Sequence, residues 1–347
     1  MTVTVHCQMF QWSPSDVKVT MNVCLEGAVV PTNNDEVRFS FGHLVVLDDF
    51  IPDSTRQGLL DLITEKDWKA TQNPPLAKWE KETCDQAGFP KTWGLKDECL
   101  AELAQGDHSA LREIHARICK LYPEADIAHM PSESIQNTAV SSASPETDPN
   151  AVHENPHTQR KEPIPRNESE APGMENEHGT DINPRSVDCN AFVGNAPVYG
   201  DSFQWHVDAD PSSFPPSQWV DTFGTYFIGE PGKPLFVSLL LYLDKEWNRE
   251  WDAETLFLDT PTDTGLFVRP KPCRAVLMDQ DVLHRVSTPS KNAARPRFSL
   301  VWKLVFFAKS RGKTCCISKP EWGPPVYFGS ANRLQTLRKS LAKKVER

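Results

Sequence analysis

Three residues in the second half of the chain have the types and spacing of a metal site. His206-Val207-Asp208 sets an imidazole and a carboxylate two positions apart in GDSFQWHVDADP, and His284 follows 78 residues later in VLMDQDVLHRVS. On a strand, residues two apart point to the same side, so both side chains can reach one ion. An imidazole from a distant strand completes a two-histidine, one-carboxylate face. Such a face leaves positions open on an octahedral iron for a chelating cosubstrate and for O2. The triplet alone is a weak signal: 10 histidines and 47 acids in 347 residues give about one His-x-acid triplet by chance. Order and setting strengthen it. Both histidines sit among short apolar strands, and Arg297-Phe298-Ser299 then opens the run LVWKLVFF. An arginine directed into a β-barrel is costly to bury unpaired and calls for an anion. A dicarboxylate cosubstrate, gripped bidentate by the guanidinium, supplies one, and Ser299 shares that face.

These residues need strands to hold them, and the sequence offers several. Apolar runs punctuated by Pro, Gly and Asp predict strands at Asp188–Val193, Phe203–Val207, Leu235–Leu243, Thr255–Leu258, Gly265–Val268, Ala275–Met278 and Arg297–Phe307. Many short strands with turns between them indicate a sandwich or barrel. Nearer the N-terminus, Leu44–Leu47 reads as a strand. Ser54 is placed to cap a helix with Leu59, Leu60, Leu62 and Ile63 on its apolar face. A second helix is expected over Ala110–Leu121, where Leu111, Ile114, Ile118 and Leu121 recur at spacings of three and four. The fold class expected is α+β, mainly β, with flanking N-terminal helices.

Between Tyr122 and Phe192 no aromatic residue occurs, and the segment is rich in Ser, Pro, Glu, Asn and Thr. It cannot bury enough apolar surface to offset its ordering entropy, so residues 126–186 read as a disordered acidic insertion. Its sequon, Asn167-Glu168-Ser169, is read as chance. The remaining divisions are a support region over 1–125, a catalytic core over 187–310 and a basic, helical extension over 311–347. In that extension Leu334, Leu337 and Leu341 share a face, and the basic residues read as its solvated side. The chain is acidic, with a formal charge of −10 and 39% hydrophobic residues. Acidity disfavours nucleic acid as a partner. No apolar run has the length of a membrane helix, so no membrane partner is expected. The start MTVTVHCQMFQWSPSD lacks a signal-peptide pattern, and the nine cysteines include no CxxC. Reduced thiols in the cytoplasm or nucleus are the expectation.

The order HVD…H…RFS in a strand-rich setting resembles the Fe(II)/2-oxoglutarate-dependent dioxygenases, and within them the prolyl hydroxylase branch. Leu239 to Trp247 (LLLYLDKEW) resembles the strand and turn after the first ligand pair, and Glu254-Thr255-Leu256-Phe257 the strand that follows. LVVLDDFIPDSTRQGLLDLI resembles the family's N-terminal strand and helix. The resemblance implies a double-stranded β-helix core of the jelly-roll or cupin kind. It implies Fe(II), 2-oxoglutarate and O2, with ascorbate as a reductant. The implied reaction hydroxylates an unactivated C–H bond, of a peptidyl prolyl or similar residue, with succinate and CO2 as coproducts. His206, Asp208 and His284 are then the iron ligands. Arg297, Ser299 and Tyr242 would hold the distal carboxylate of 2-oxoglutarate, and Asn190 its near end.

Departures from the family pattern leave questions open. The interval from His284 to Arg297 is longer than usual, which makes Arg295 an alternative anchor. Phe192 stands where relatives carry a tyrosine, with Tyr199 displaced, and Asp252-Ala253 replaces a pair of glycines. The long loop after the ligand pair supplies Trp205, Phe214, Trp219, Phe223 and Tyr226 as a substrate lid, of which Trp205, Trp219 and Tyr226 are the candidate substrate contacts. A surface loop is the alternative. Rival functions are a small-molecule biosynthetic oxygenase, a nucleic-acid oxygenase of the AlkB or TET type, and a scaffold that keeps the fold without turnover.

Overall fold

A computed structural model describes residues 12–31, 37–65, 68, 73–82, 92–136, 190–201 and 203–328. The first half begins with two long antiparallel strands, β1 (Lys18–Pro31) and β2 (Val37–Asp48). Helix α1 (Asp53–Ile63) follows, then β3 (Trp79–Glu82), β4 (Thr92–Leu95), α2 (Asp97–Gln105) and α3 (Ser109–Leu121). Strand β5 (Ala125–His129) and the short α4 (Ser132–Gln136) close this half. The second half carries β6 (Phe192–Asn195), α5 (Gln218–Phe223), β7 (Leu235–Tyr242), β8 (Thr255–Asp259), β9 (Thr264–Val268), β10 (Ala275–Asp279), β11 (His284–Val286), β12 (Ser299–Ala308) and β13 (Val326–Tyr327).

These strands form two sheets. The larger runs β13-β1-β2-β10-β7-β12-β6-β4-β3, with β5 also paired to β12; the smaller is β11-β8-β9. From β6 onward the chain alternates between them. β6, β7, β10 and β12 belong to the large sheet. The His206 bridge, β8 with β9, and β11 belong to the small one. This two-sheet alternation gives a mainly β, jelly-roll-like core.

β7 explains why the large sheet is the spine of the molecule. Its sequence LFVSLLLY is buried at every position, as a strand covered on both faces must be. Leu239 and Leu241 turn outward, with Leu300 and Trp302 of β12, to meet Leu59 and Ile63 of α1 and Ile114 and Ile118 of α3. Leu240 and Tyr242 turn inward, with Leu44, Val46, Val276, Met278 and Val301, to meet Phe257, Val268 and Val282 of the small-sheet side. Each such side chain contributes about 1.5–3 kcal/mol. The two apolar layers therefore fix the spacing of the sheets between which the candidate ligands lie.

Several expectations change in detail. Ser54 does not cap α1: extended Pro52 holds that position without a side-chain bond, and its carbonyl accepts the amides of Thr55 and Arg56. Phe203–Val207 makes one bridge, at His206, because the long loop leaves at once. The strand at Leu44–Leu47 is the end of a longer one, and β1 beside it escaped notice because polar residues break its apolar pattern. Residues from 126 onward do not begin an insertion, since β5 aligns Asp126–His129 with Leu304–Phe307 of β12. The rest of that segment, its sequon and the helix expected from Ser330 lie outside the described residues. Among the described residues no helix is long and apolar enough to cross a membrane.

Candidate metal centre

His206 and His284 are brought together by backbone pairing. The amide of His206 donates to the carbonyl of His284 at 3.0 Å, and the reverse bond is 2.9 Å. Two residues on, the amide of Asp208 donates to the carbonyl of Gln280 at 2.8 Å. The chain around the ligand pair is thereby clamped to the turn between β10 and β11. One ligand atom from each of His206, Asp208 and His284 lies within 4.8 Å of the other two. Among the described residues this is the one group of three or more His, Cys, Asp or Glu so placed.

The tautomers suit a metal. Nδ1 of His206 lies 2.9 Å from the carbonyl of Gln204, and Nδ1 of His284 lies 2.8 Å from that of Val282. A carbonyl only accepts, so each Nδ1 carries the proton and each Nε2 presents a lone pair. The His284 ring stacks on Phe257 and is buried, whereas His206 is exposed, so one side of the cluster faces solvent. Burial, reinforced by the neighbouring His206 ring, lowers the His284 pKa to about 4, against the pull of Asp208. His284 is therefore neutral and able to ligate near neutral pH. Asp208 is also buried. Desolvation opposes its charge, but Lys303, the two imidazoles and Ser238 outweigh it and hold the carboxyl at about 2. Ser238 donates to Oδ2, and the Lys303 ammonium lies 3.6 Å from Oδ1. The donor set is all nitrogen and oxygen, two imidazoles and one carboxylate. It fits a divalent ion such as iron(II) that keeps positions open.

A second polar group lies further along the same inner face. In register, Ser238 faces Lys303, Leu240 faces Val301, and Tyr242 faces Ser299. Polar residues thus stand at the metal end and the far end, with apolar walls between. Four residue steps along β7, from Ser238 to Tyr242, separate the ends, about 13 Å at 3.3 Å per step, of which side chains from both ends take a part. The far end is built around Arg297, whose exposure is 0%. Its guanidinium donates to Ser299 Oγ at 3.0 Å and Thr255 Oγ1 at 3.2 Å, and it stacks 4.9 Å from the Tyr242 ring centre. No described carboxylate forms an ion pair with it, and its Nε has no hydrogen-bond partner. Burial lowers the Arg297 pKa, with Tyr242 opposing that shift.

Arg295 is a different case. It pairs with Asp244 at 2.9 Å, and the other oxygen of Asp244 accepts the amide of Phe298 at 2.7 Å. Burial pushes the Asp244 carboxyl up to about 6, against the pull of Arg295. The longer interval after His284 is taken up by a short turn over Lys291–Ala293 and the bend before β12. Of the two arginines, Arg297 is the one without an ion-pair partner among the described residues.

Three candidates lie elsewhere. Trp219 and Tyr226 are buried, and the Trp219 ring stands 5.2 Å from Phe236 and 6.2 Å from Phe307, which by register share the inward parity of Ser238 and Lys303, just beyond the metal end. Trp219 thereby packs the loop against the strand ends next to Ser238 and Lys303. Asn190 is exposed ahead of β6, an even number of residues from Phe192, whose ring packs 5.1 Å from Trp302 in the outer layer. Asn195, opposite Ser299 in register, has the inward position instead. Trp205 and Arg285, each beside a ligand histidine, meet each other at 4.8 Å. Ser238, Thr255, Lys303 and Asn195 were missed. Ser238 and Lys303 were legible as single polar residues within the apolar runs LFVSLLLY and LVWKLVFF, at the inward parity.

No family model and no curated protein matches the chain. Among solved structures it is similar to a Pseudomonas putida prolyl-4-hydroxylase at 10% identity, covering 77% of this chain and 92% of that one with a TM-score of 0.36. A prolyl 4-hydroxylase structure from Phytophthora capsici aligns at 15% identity over 86% and 68% of the two chains, with a TM-score of 0.34. An N-substituted L-amino acid dioxygenase from Burkholderia ambifaria, in complex with alpha-KG, aligns at 10% identity over 81% and 94%, with a TM-score of 0.29. Overlap this loose transfers no residue's role, and the cluster stands on its own geometry.

Proposed function

We propose that the chain is an Fe(II)- and 2-oxoglutarate-dependent oxygenase built on a double-stranded β-helix. One observation carries this reading. A two-histidine, one-carboxylate cluster and a fully buried arginine without a carboxylate partner among the described residues occupy opposite ends of one inner face, with apolar walls between. His206, Asp208 and His284 would hold the iron. Arg297, with Ser299, Thr255 and Tyr242 around it, would bind the far carboxylate of 2-oxoglutarate. Bound iron, with 2-oxoglutarate, supplies the O2 activation that hydroxylates a C–H bond as 2-oxoglutarate is cleaved to succinate and CO2.

The protein's own side chains orient and exclude. The carbonyls of Gln204 and Val282 keep both imidazoles in the ligating tautomer. Ser238 and Lys303 keep Asp208 charged, and Leu240 and Val301 exclude water beside the cosubstrate. Exposed His206 marks the side open to substrate. A peptidyl prolyl or similar residue is the substrate class proposed, on the resemblance of LLLYLDKEW and its neighbours to prolyl hydroxylases. The test is succinate formation by the iron-loaded protein in air, with proline peptides, free amino acids and oligonucleotides offered in turn. Stimulation by a proline peptide supports the substrate class. Stimulation by a free amino acid or an oligonucleotide alone replaces it, and succinate that persists in His206→Ala overturns the site.

A further inference from the structure

A second cluster of reactive groups lies on the other face of the large sheet, away from the metal cluster. His43 of β2 and Asp279 of β10 are joined twice: the amide of His43 donates to Asp279 Oδ2 at 2.8 Å, and Nδ1 lies 3.1 Å from the same oxygen. Asp279 is 2% exposed, and its Oδ1 is buried beside the imidazole with no hydrogen-bond partner. On the opposite edge of the ring, Nε2 lies 3.6 Å from Cys316 Sγ. Cys24, buried, is the register partner of His43 on β1 and contacts the same ring. Burial disfavours a charged imidazole here, but Asp279 and the two thiols outweigh it and raise the His43 pKa above its ordinary value.

Two readings compete, a metal site and an activated thiol. Two sulfurs, an imidazole and a carboxylate would suit zinc, but these donors do not share the close mutual spacing found at His206, Asp208 and His284. The sulfur–imidazole–carboxylate line is instead the arrangement that makes a cysteine nucleophilic, because the thiolate, not the thiol, attacks. Cys316 is only half-buried, so a small reagent can reach it, whereas Cys24 and Cys315 are buried.

We propose that Cys316, aligned with His43 and Asp279, is a site of covalent modification by hydroperoxides. The sulfur attacks one peroxide oxygen, an S–O bond forms and the O–O bond breaks. Cys316 is oxidised by two electrons to the sulfenic acid. The peroxide is reduced, and its other oxygen leaves as water or alcohol with a proton relayed through His43. This site is independent of the oxygenase reading.

The test measures each cysteine in the native full-length protein by peptide mass spectrometry. One aliquot is alkylated with iodoacetamide at pH 7, and another is treated with one equivalent of hydrogen peroxide and a sulfenic-acid trap. Cys99 and Cys273, also half-buried, are the internal standards. A thiol aligned with an imidazole and a carboxylate is expected to react about tenfold faster than one without such partners. Cys316 is expected to alkylate about tenfold faster than either standard and to carry the first trapped sulfenic acid. His43→Gln and Asp279→Asn should each bring it down to the standards while Cys24 stays protected, which shows that the fold is kept. Should either substitution expose Cys24, the other variant and the wild-type ratio decide. A wild-type ratio near one overturns the proposal, as does an advantage that survives loss of the imidazole in folded protein.

Discussion

Replacing Arg297 with methionine should separate binding from stability, and the structure sets the sizes. The guanidinium is buried, hydrogen-bonded only to hydroxyls and stacked on Tyr242. Without a bound dicarboxylate it is a desolvated charge lacking a counter-ion, a state costing several kcal/mol. Its two hydroxyl bonds return about 1 kcal/mol each, and the stack on Tyr242 about 2. Arg297→Met should therefore leave the ligand-free protein as stable as wild type or more so. Two charge-assisted bonds to a carboxylate are worth about 1.5–3 kcal/mol each, so 2-oxoglutarate affinity should fall by roughly a hundredfold to ten-thousandfold. Arg295→Met should behave in the opposite way. It strands Asp244 in the core and costs about 3 kcal/mol, while affinity in the folded fraction is retained. Calorimetric titration of 2-oxoglutarate into Mn(II)-loaded protein, with urea unfolding of the ligand-free form, reads both quantities. The reasoning is refuted if Arg297→Met keeps its affinity within about threefold, or if Arg295→Met is the variant that loses it.

Three further expectations concern the scaffold of the site. Because the His284 pKa is depressed from 6.5 to about 4, the unfolded chain binds more protons between those values. That contribution to stability is complete above pH 6.5 and is lost as pH falls through 4. Metal-free protein should thus lose about 2 kcal/mol in urea unfolding from pH 7 to pH 5 through this group. His284→Gln should lack that part of the loss, and equal losses in both proteins would contradict the assignment. Asp252 and Ala253 have φ of 53° and 63°. Asp252→Gly should therefore stabilise by about 1 kcal/mol, strain relief exceeding glycine's added chain entropy, and a lower urea midpoint would count against it. A Cβ on Gly42 would lie 2.3 Å from Val282 Cγ2, and the Val282 carbonyl holds His284 Nδ1. Gly42→Ala should cost about 1–3 kcal/mol and weaken metal binding, with Val282→Ala in the same chain restoring it. Failure of the second substitution to restore binding would break that link.

The candidate ligands were legible because strand periodicity is local: His206 and Asp208 share a side by spacing alone, and His284 and Arg297 sit in or beside short apolar runs. What was not legible depends on partners distant in sequence. Arg295 and Arg297 look alike until Asp244 is seen to neutralise one of them. The aromatic loop invites a lid, but what Trp219 packs on, Phe236 and Phe307 at the ends of β7 and β12, is set by the pairing of those strands and not by any local pattern. β11 is three residues long and exists through its pairing with β8, which no local pattern announces. β5 lies at the border of a polar segment and is held by β12. Ser238 and Lys303 looked like blemishes in apolar strands until the sheets closed around Asp208.

The central claim is that one interior holds both the metal and the cosubstrate. Iron(II) and 2-oxoglutarate, added anaerobically to the full-length protein, test it through the visible charge-transfer absorption of a keto acid chelated to ferrous iron. The account predicts a band that appears only when both are present, is absent from His284→Ala, and in Arg297→Met needs at least a hundredfold more 2-oxoglutarate. Iron bound at the three ligands with no band at any 2-oxoglutarate concentration would contradict it.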